Sequence, residues 1–153
     1  MLISEIYHKN VITIDQSTTV LDALKTFIKK RINGLIVVDE HDHVVGVLSI
    51  QDIAAATIPR QFRQNIQMAA AMYRKGFFSE NCEDIKNNSV RTVMRKNFTA
   101  VNLEDNIMAV TADFLKNDLY IVPVFKEGKL AGVVTRSEIK KALAYGMKLH
   151  GYY

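Results

Sequence analysis

Two prolines and seven glycines among 153 residues leave little material for long disordered tracts. Cys82 is the only cysteine, so no intramolecular disulfide can form, and no histidine stands near it in the sequence to make it a nucleophile. The purely apolar runs, such as Leu35 to Val38, are far too short to span a bilayer. Glu5 falls where a signal peptide would need its apolar core. These absences lead to the expectation of a cytoplasmic chain with no membrane partner. There is also no paired Cys/His metal pattern, no Walker loop, no G-x-S-x-G elbow and no other nucleophile arrangement. No enzymatic activity, catalytic residue or resident cofactor is therefore expected.

Hydrophobic residues make up 48% of the chain and charged residues 24%, ordinary values for a soluble globular protein. The net charge of +4 opens nucleic acid, a membrane surface or a phosphorylated ligand as partners. The basic residues are interleaved with acids, however. The densest groups are Lys29-Lys30-Arg31, Arg91 to Lys96 and Lys140-Lys141, and a solvated helix face accounts for each. No recognisable nucleic-acid motif accompanies them, so nucleic acid is not the expected partner.

An internal repeat organises the chain. Residues Ile3 to Ile14 match Val90 to Val101, with Lys9-Asn10 falling on Lys96-Asn97. In each copy an apolar-periodic segment follows: Val20, Leu24, Phe27 and Ile28 mirror Ile107, Thr111, Phe114 and Leu115. Beyond it the register slips by one, a slip placed at the helix end, so that Leu35 to Asp39 aligns with Ile121 to Phe125 and Gly34 with Tyr120. A charged turn comes next, Glu40 to His43 or Lys126 to Lys129. Val45 to Ile53 and Ala131 to Ile139 then close the copies.

Each copy reads as strand, helix, strand, turn, strand, helix. The first strands are expected at Val11 to Ile14 and Phe98 to Val101. Helices are expected at about Thr19 to Arg31 and Asp105 to Asn117, with Ser17-Thr18 and Glu104-Asp105 as start signals. Leu35 to Asp39 and Val45 to Leu48 form a hairpin, as do their counterparts. The second helix of the pair is apolar on two faces, Ile107, Val110 and Phe114 on one and Met108, Ala112 and Leu115 on the other. The last helix repeats this with Ile139, Leu143 and Met147 against Ala142, Tyr145 and Leu149. Two apolar faces need two neighbours, which points to a homodimer. The connector between copies, about Ala54 to Ser89, is too long for a simple loop. Ile58, Phe62, Ile66, Ala69 and Tyr73 recur at helical spacing, Gly76 is read as the stop, and Ser79 to Asn88 as a loop or short helix.

With both copies laid out, the sequence resembles the cystathionine-β-synthase (CBS) domain family. The resemblance rests on the lead-in Lys-Asn-hydrophobic-x-x-hydrophobic, on Ile121-Val-Pro-Val124, and on the strand Gly-hydrophobic-hydrophobic-Ser/Thr-x-x-Asp/Glu. It implies an α+β fold: two βαββα motifs, about 1–56 and 90–153, related by a pseudo-twofold axis and joined by an extended helical connector at 57–89. It further implies a regulatory module that binds AMP, ADP or ATP in a cleft between the motifs and commonly dimerises. With no fused effector domain in the chain, the output is expected to pass through another protein or through assembly.

The same resemblance places the ribose and phosphate at the strand-to-helix junctions. These are Ser49 with Asp52, and Thr135 with Arg136 and Glu138. The free N–H groups of a helix start suit phosphate, and a carboxylate can accept from ribose hydroxyls. The alternative is a capping box, contributing about 1 kcal/mol to the helix without any ligand. Asp52, the shorter acid, is the residue expected at the ribose, and Glu138 the one expected to cap. Adenine is implied beside Asn10, Val11 and Ile12 with Leu35 and Ile36 in one cleft, and beside Asn97, Phe98 and Thr99 with Ile121, Val122 and Pro123 in the other. Core packing is the plain alternative for the apolar members. His41 and His43, set among Asp39, Glu40 and Asp42, are read as a solvated turn, with no metal site assigned. Two other readings stay open: a homodimerisation module without ligand, and a weak nucleic-acid binder.

Overall fold

Strand and helix signals resolve into two three-stranded sheets in a computed structural model that describes residues 1–72 and 74–151. In the first motif β1 (Thr13–Asp15) is followed by α1 (Val20–Lys30), β2 (Gly34–Val38), β3 (Val44–Ser49) and α2 (Ile50–Ala56). The second holds β4 (Val101–Asn102), α5 (Ile107–Asn117), β5 (Ile121–Lys126), β6 (Lys129–Thr135) and α6 (Arg136–Gly146). In each sheet the first strand runs parallel to the second and the third antiparallel to it. The α+β fold of two βαββα motifs is as expected.

Local chemistry sets the helix ends. The Thr19 side chain accepts from Asp22 N–H to open α1, and Asn106 accepts from Met108 N–H to open α5. The expected start signals Ser17-Thr18 and Glu104-Asp105 therefore lie just outside the helices, ahead of the true caps Thr19 and Asn106. Arg31 and Asp118 end α1 and α5 in the left-handed conformation, at φ 54° and 48°. The connector differs more. Among the described residues it contains a 3-10 turn (Arg60–Phe62) and two short α-helices, α3 (Ile66–Ala71) and α4 (Phe77–Ile85), and Gly76 at φ 84° starts α4 instead of stopping a helix. Tyr73, one of the residues placed at helical spacing, lies outside the described residues.

Strand alternation divides the interior into three cores. Leu35 and Val37 join Val20, Phe27, Leu48 and Ile53 between the first sheet and its helices. Val122, Val124 and Val134 join Val110 and Phe114 in the second motif. Ile36, Val38, Val47, Ile121 and Val133 form the third core, where the two sheets pack face to face. Leu35 and Val122 therefore point toward the helices and not into the space between the sheets. This corrects their expected place beside adenine.

Pairing also relocates the repeat's slip. Gly34 pairs with Ser49 and Ile121 with Thr135, so Gly34 and Ile121 are counterparts, as are Leu35 and Val122. The helix ends Arg31 and Asp118 keep the same spacing. The missing residue belongs to the second hairpin turn, between β5 and β6, not to the helix end. A slip ahead of the strand would have matched Leu35, which faces the helices, with Ile121, which faces the other sheet.

The lead-in segments are exchanged. Ile3 N–H donates to Asp105 C=O at 2.9 Å and Ile3 is fully buried in the second motif's core. Val90, its counterpart, donates to Thr18 C=O at 2.8 Å and is fully buried in the first motif's core. His8 then pairs with Val133, and Arg95 with Val47. Gly46 permits one crossing, because a Cβ there would lie 2.8 Å from the Arg95 carbonyl oxygen, and Gly132 meets the His8 carbonyl in the same way.

Candidate functional site

Exchange of the lead-ins makes each cleft composite. The segment after His8 runs beside the β6–α6 junction, and the segment after Arg95 runs beside the β3–α2 junction. Asn10 and Ile12 are thus brought to Thr135, Arg136 and Glu138, while Asn97, Phe98 and Thr99 lie on the side of Ser49 and Asp52.

The first cleft is a cavity of ≈ 440 Å³, within the usual range for small-ligand sites. Its first-motif wall carries His8, Asn10, Ile12, Arg31, Asn33 and Gly34. Its second-motif wall carries Tyr120, Ile121, Thr135, Arg136, Glu138 and Lys141. Thr135 and Glu138 form a capping box: Thr135 N–H and Oγ1–H both donate to Glu138 Oε2, at 2.9 and 2.6 Å. Glu138 is 3% exposed. Its other oxygen, Oε1, accepts no hydrogen bond among the described residues. The Arg136 guanidinium lies 4.3 Å from the Tyr120 ring centroid and donates to Asp118 Oδ1 at 3.4 Å. The arrangement offers one acidic acceptor, three nearby cations and the N-terminus of an 11-residue helix, which together suit a polyol bearing an anion.

The second cleft is divided. Ser49 N–H and Oγ–H donate to Asp52 Oδ2 at 2.7 and 2.9 Å, and Arg95 Nε donates to Asp52 Oδ1 at 3.3 Å. Arg95 Nη1 also donates to the Asn117 carbonyl at 3.1 Å. Beside Ser49 and Asp52 only ≈ 10 Å³ remains. A shallower hollow of ≈ 580 Å³, lined by Lys96, Asn97, Phe98 and Thr99, lies on the far side of Arg95 and does not reach Asp52. Asp52, expected at the ribose, therefore has both oxygens engaged by its own cap and by Arg95. This corrects its expected role, and Ser49 likewise serves the cap.

Of the apolar residues, Ile12 and Ile121 line the first cleft, whereas Val11 and Ile36 pack in the core between the sheets and Pro123 is fully buried. Sequence reasoning missed Arg31, Arg95 and Lys141. Each belongs to a basic group for which a solvated helix face is the simpler account in the sequence. The signal was position: Arg31 just follows α1, Arg95 ends a lead-in, and Lys141 lies on α6 beyond Arg136. His41 and His43 stand in the hairpin turn, where their N–H groups donate to Asp39 Oδ1. Among the described residues no His, Cys, Asp and Glu cluster suited to a metal is found, and no helix is long and apolar enough to cross a membrane.

The family model for the CBS domain matches residues 3–58 and 90–145, once for each copy. The protein MJ1426 of Methanocaldococcus jannaschii is 26% identical over 154 residues, covering 94% of this chain and 91% of that one. The chain spans far less of other relatives from the same organism, 37% of MJ1232 and 42% of MJ1225. Among solved structures, the CBS domain pair of protein MJ0100, in complex with 5'-methylthioadenosine and S-adenosyl-L-methionine, is 25% identical with a TM-score of 0.69, covering 97% of this chain and 98% of that one. CBSX2 in complex with AMP is 23% identical with a TM-score of 0.69, covering 96% and 98%.

Proposed function

The chain belongs to the CBS-domain family, and from that premise we propose that it is a non-catalytic regulatory module binding an adenine nucleotide in the first cleft. The observation carrying this is the convergence of Arg31, Arg136 and Lys141 with the buried Glu138 around one cavity. A phosphate is held by Arg136, Lys141 and the N–H groups that begin α6. A ribose hydroxyl donates to Glu138 Oε1. The base lies against Ile12 and Gly34 within reach of the Asn10 amide. Adenosine is the group common to the ligands of MJ0100 and CBSX2. The three cations favour AMP, ADP or ATP over ligands without phosphate.

Calorimetry with AMP, ADP, ATP, 5'-methylthioadenosine and S-adenosyl-L-methionine tests the reading. The phosphorylated ligands should bind, be recovered unchanged, and weaken as salt rises. Removing Arg136 or Lys141 should weaken AMP about tenfold, as expected for a hydrogen bond to a charged group worth about 1.5 kcal/mol. Binding of 5'-methylthioadenosine as tight as AMP removes the phosphate from the reading; binding of none removes the nucleotide.

A second observation favours self-association. Val110 and Phe114 of α5 are buried, yet Met108 and Leu115 on its other face are 76% and 81% exposed. Leu143 and Tyr145 of α6, and Met147 just past its end, are exposed as well. A second copy laid on α5 and α6 would cover this surface, and an effector protein would read the resulting assembly. Light scattering after size exclusion should give twice the chain mass.

A further inference from the structure

The two clefts are related by the repeat, and comparing counterpart residues shows how far their chemistry has diverged. Where the first cleft has Arg31, the second has Asp118; for Arg136 it has Ile50, and for Lys141 it has Ala55. Tyr120, the counterpart of Asn33, lines both the first cleft and the small space beside Asp52. The helix that opens on the first cleft has 11 residues, while α2 has only 7. In the opposite sense, His8 of the first cleft is replaced by Arg95.

Arg95 is the shared wall of the ≈ 10 Å³ space and the ≈ 580 Å³ hollow. Its backbone is pinned by paired bonds to Val47, with Val47 N–H donating to Arg95 C=O at 3.0 Å and Arg95 N–H to Val47 C=O at 2.9 Å. Its guanidinium spans from Asp52 to the Asn117 carbonyl. The cation thus sits beside the acid whose counterpart, Glu138, faces the first cleft. We propose that Arg95 is a built-in plug that occupies the second cleft in place of a ligand, so that each chain carries one nucleotide site. This rests on the nucleotide reading of the first cleft.

Removing the plug joins the two spaces and frees Asp52 Oδ1, so the variants should gain a site. The test is calorimetric stoichiometry with AMP, using the full chain. The wild type should bind one AMP per chain. Arg95→Ala should bind two, the new site being the weaker because Arg31, Arg136 and Lys141 have no cationic counterparts there. Arg95→His, which copies the residue of the first cleft, retains a side chain at the crossing and covers the case in which the alanine variant fails to fold. It should likewise exceed one AMP per chain. Two AMP per wild-type chain overturns the inference, as does a stoichiometry of one in both variants while the wild type binds one. No AMP binding by any of the three proteins removes the nucleotide reading itself, and the plug with it. That outcome is distinguishable from a plug that fails alone.

Discussion

Gly34 and Ile121 occupy the same place in the two copies and face each other where the sheets meet: a Cβ on Gly34 would fall 2.9 Å from both Cβ and Cγ2 of Ile121. Counterparts at a pseudo-twofold axis compete for one volume. Here a large residue on one side is matched by none on the other. The contact also sits at the floor of the first cleft, since both residues line it.

Substituting Gly34→Ala should therefore destabilise the fold by about 1–3 kcal/mol, the usual range for overpacking a well-filled site. Ile121→Ala is costly by itself as a core truncation, but it removes the Cγ2 that meets the new methyl, so the double variant should lose less than the sum of the two single losses, as expected for residues in contact. Urea denaturation of the single and double variants measures the coupling. Additive effects would show that the sheets yield at this point.

The exchanged lead-ins make Ile3 and Val90 structural. Ile3→Ala should cost about 2–5 kcal/mol, as for other large-to-small changes in a core. Val90→Ala should likewise be costly in the first motif. An Ile3→Ala melting temperature equal to wild type would mean that the first segment does not hold its place in solution.

Much of the architecture was legible because it was written twice. Weak strand and helix signals repeated in one order identify the motif pair, and two-faced α5 betrays a helix with one face unburied. The slip escaped because alternation, not residue type, decides it: Leu35 and Ile121 look interchangeable until one is seen to face helices and the other a sheet. The site was half legible. Ser49-x-x-Asp52 and Thr135-x-x-Glu138 differ as patterns only in the acid, which favours Asp52 for the ribose; what reverses that order is Arg95, a residue 43 positions from Asp52 that no local motif connects to it. The crossing of the lead-ins is likewise long-range and leaves in the sequence only the two glycines, Gly46 and Gly132, that give it room.

The hairpin turn at Asp39 should respond to acid. Its carboxyl is held below the ordinary aspartate range chiefly by the His43 N–H, with the His41 N–H contributing. A group whose pKa is depressed by folding lends stability above its unfolded value, about 3.9, and loses it as pH falls through the folded value. The difference in melting temperature between wild type and Asp39→Ala should therefore be present near neutrality and shrink below about pH 4, the unfolded reference value. A difference unchanged down to pH 2 would assign the loss to turn geometry and not to the charge.

Placing an acid on the exposed face of α5 should disrupt the proposed dimer without touching the monomer's core. Leu115→Glu adds charge where the side chain is already 81% exposed, so the folded monomer should be little affected. The variant should elute and scatter as a single chain while keeping its circular dichroism. If it remains as large as the wild type, the second copy docks elsewhere.

Glu138→Gln separates the capping function of the residue from its function toward a ligand. Glutamine is as acceptable as glutamate in a capping box, and its carbonyl oxygen can accept from Thr135 N–H and Oγ1–H as Oε2 does now. Thermal stability should therefore change little. The second position is different: an amide that turns its oxygen to Thr135 must turn its NH2 toward the cleft, where a ribose hydroxyl needs an acceptor for its proton. Replacing that acceptor by a donor should weaken AMP about tenfold or more, the loss expected for a hydrogen bond to a charged group of about 1.5–3 kcal/mol. Thr135→Ala should show the converse, a lower melting temperature from the lost cap, with the effect on AMP following from the looser Glu138. Calorimetry and thermal melts on the same samples distinguish the two. If Glu138→Gln binds AMP as wild type does, Glu138 is a cap and nothing more, and the sugar must be held from the Asn10 side of the cleft.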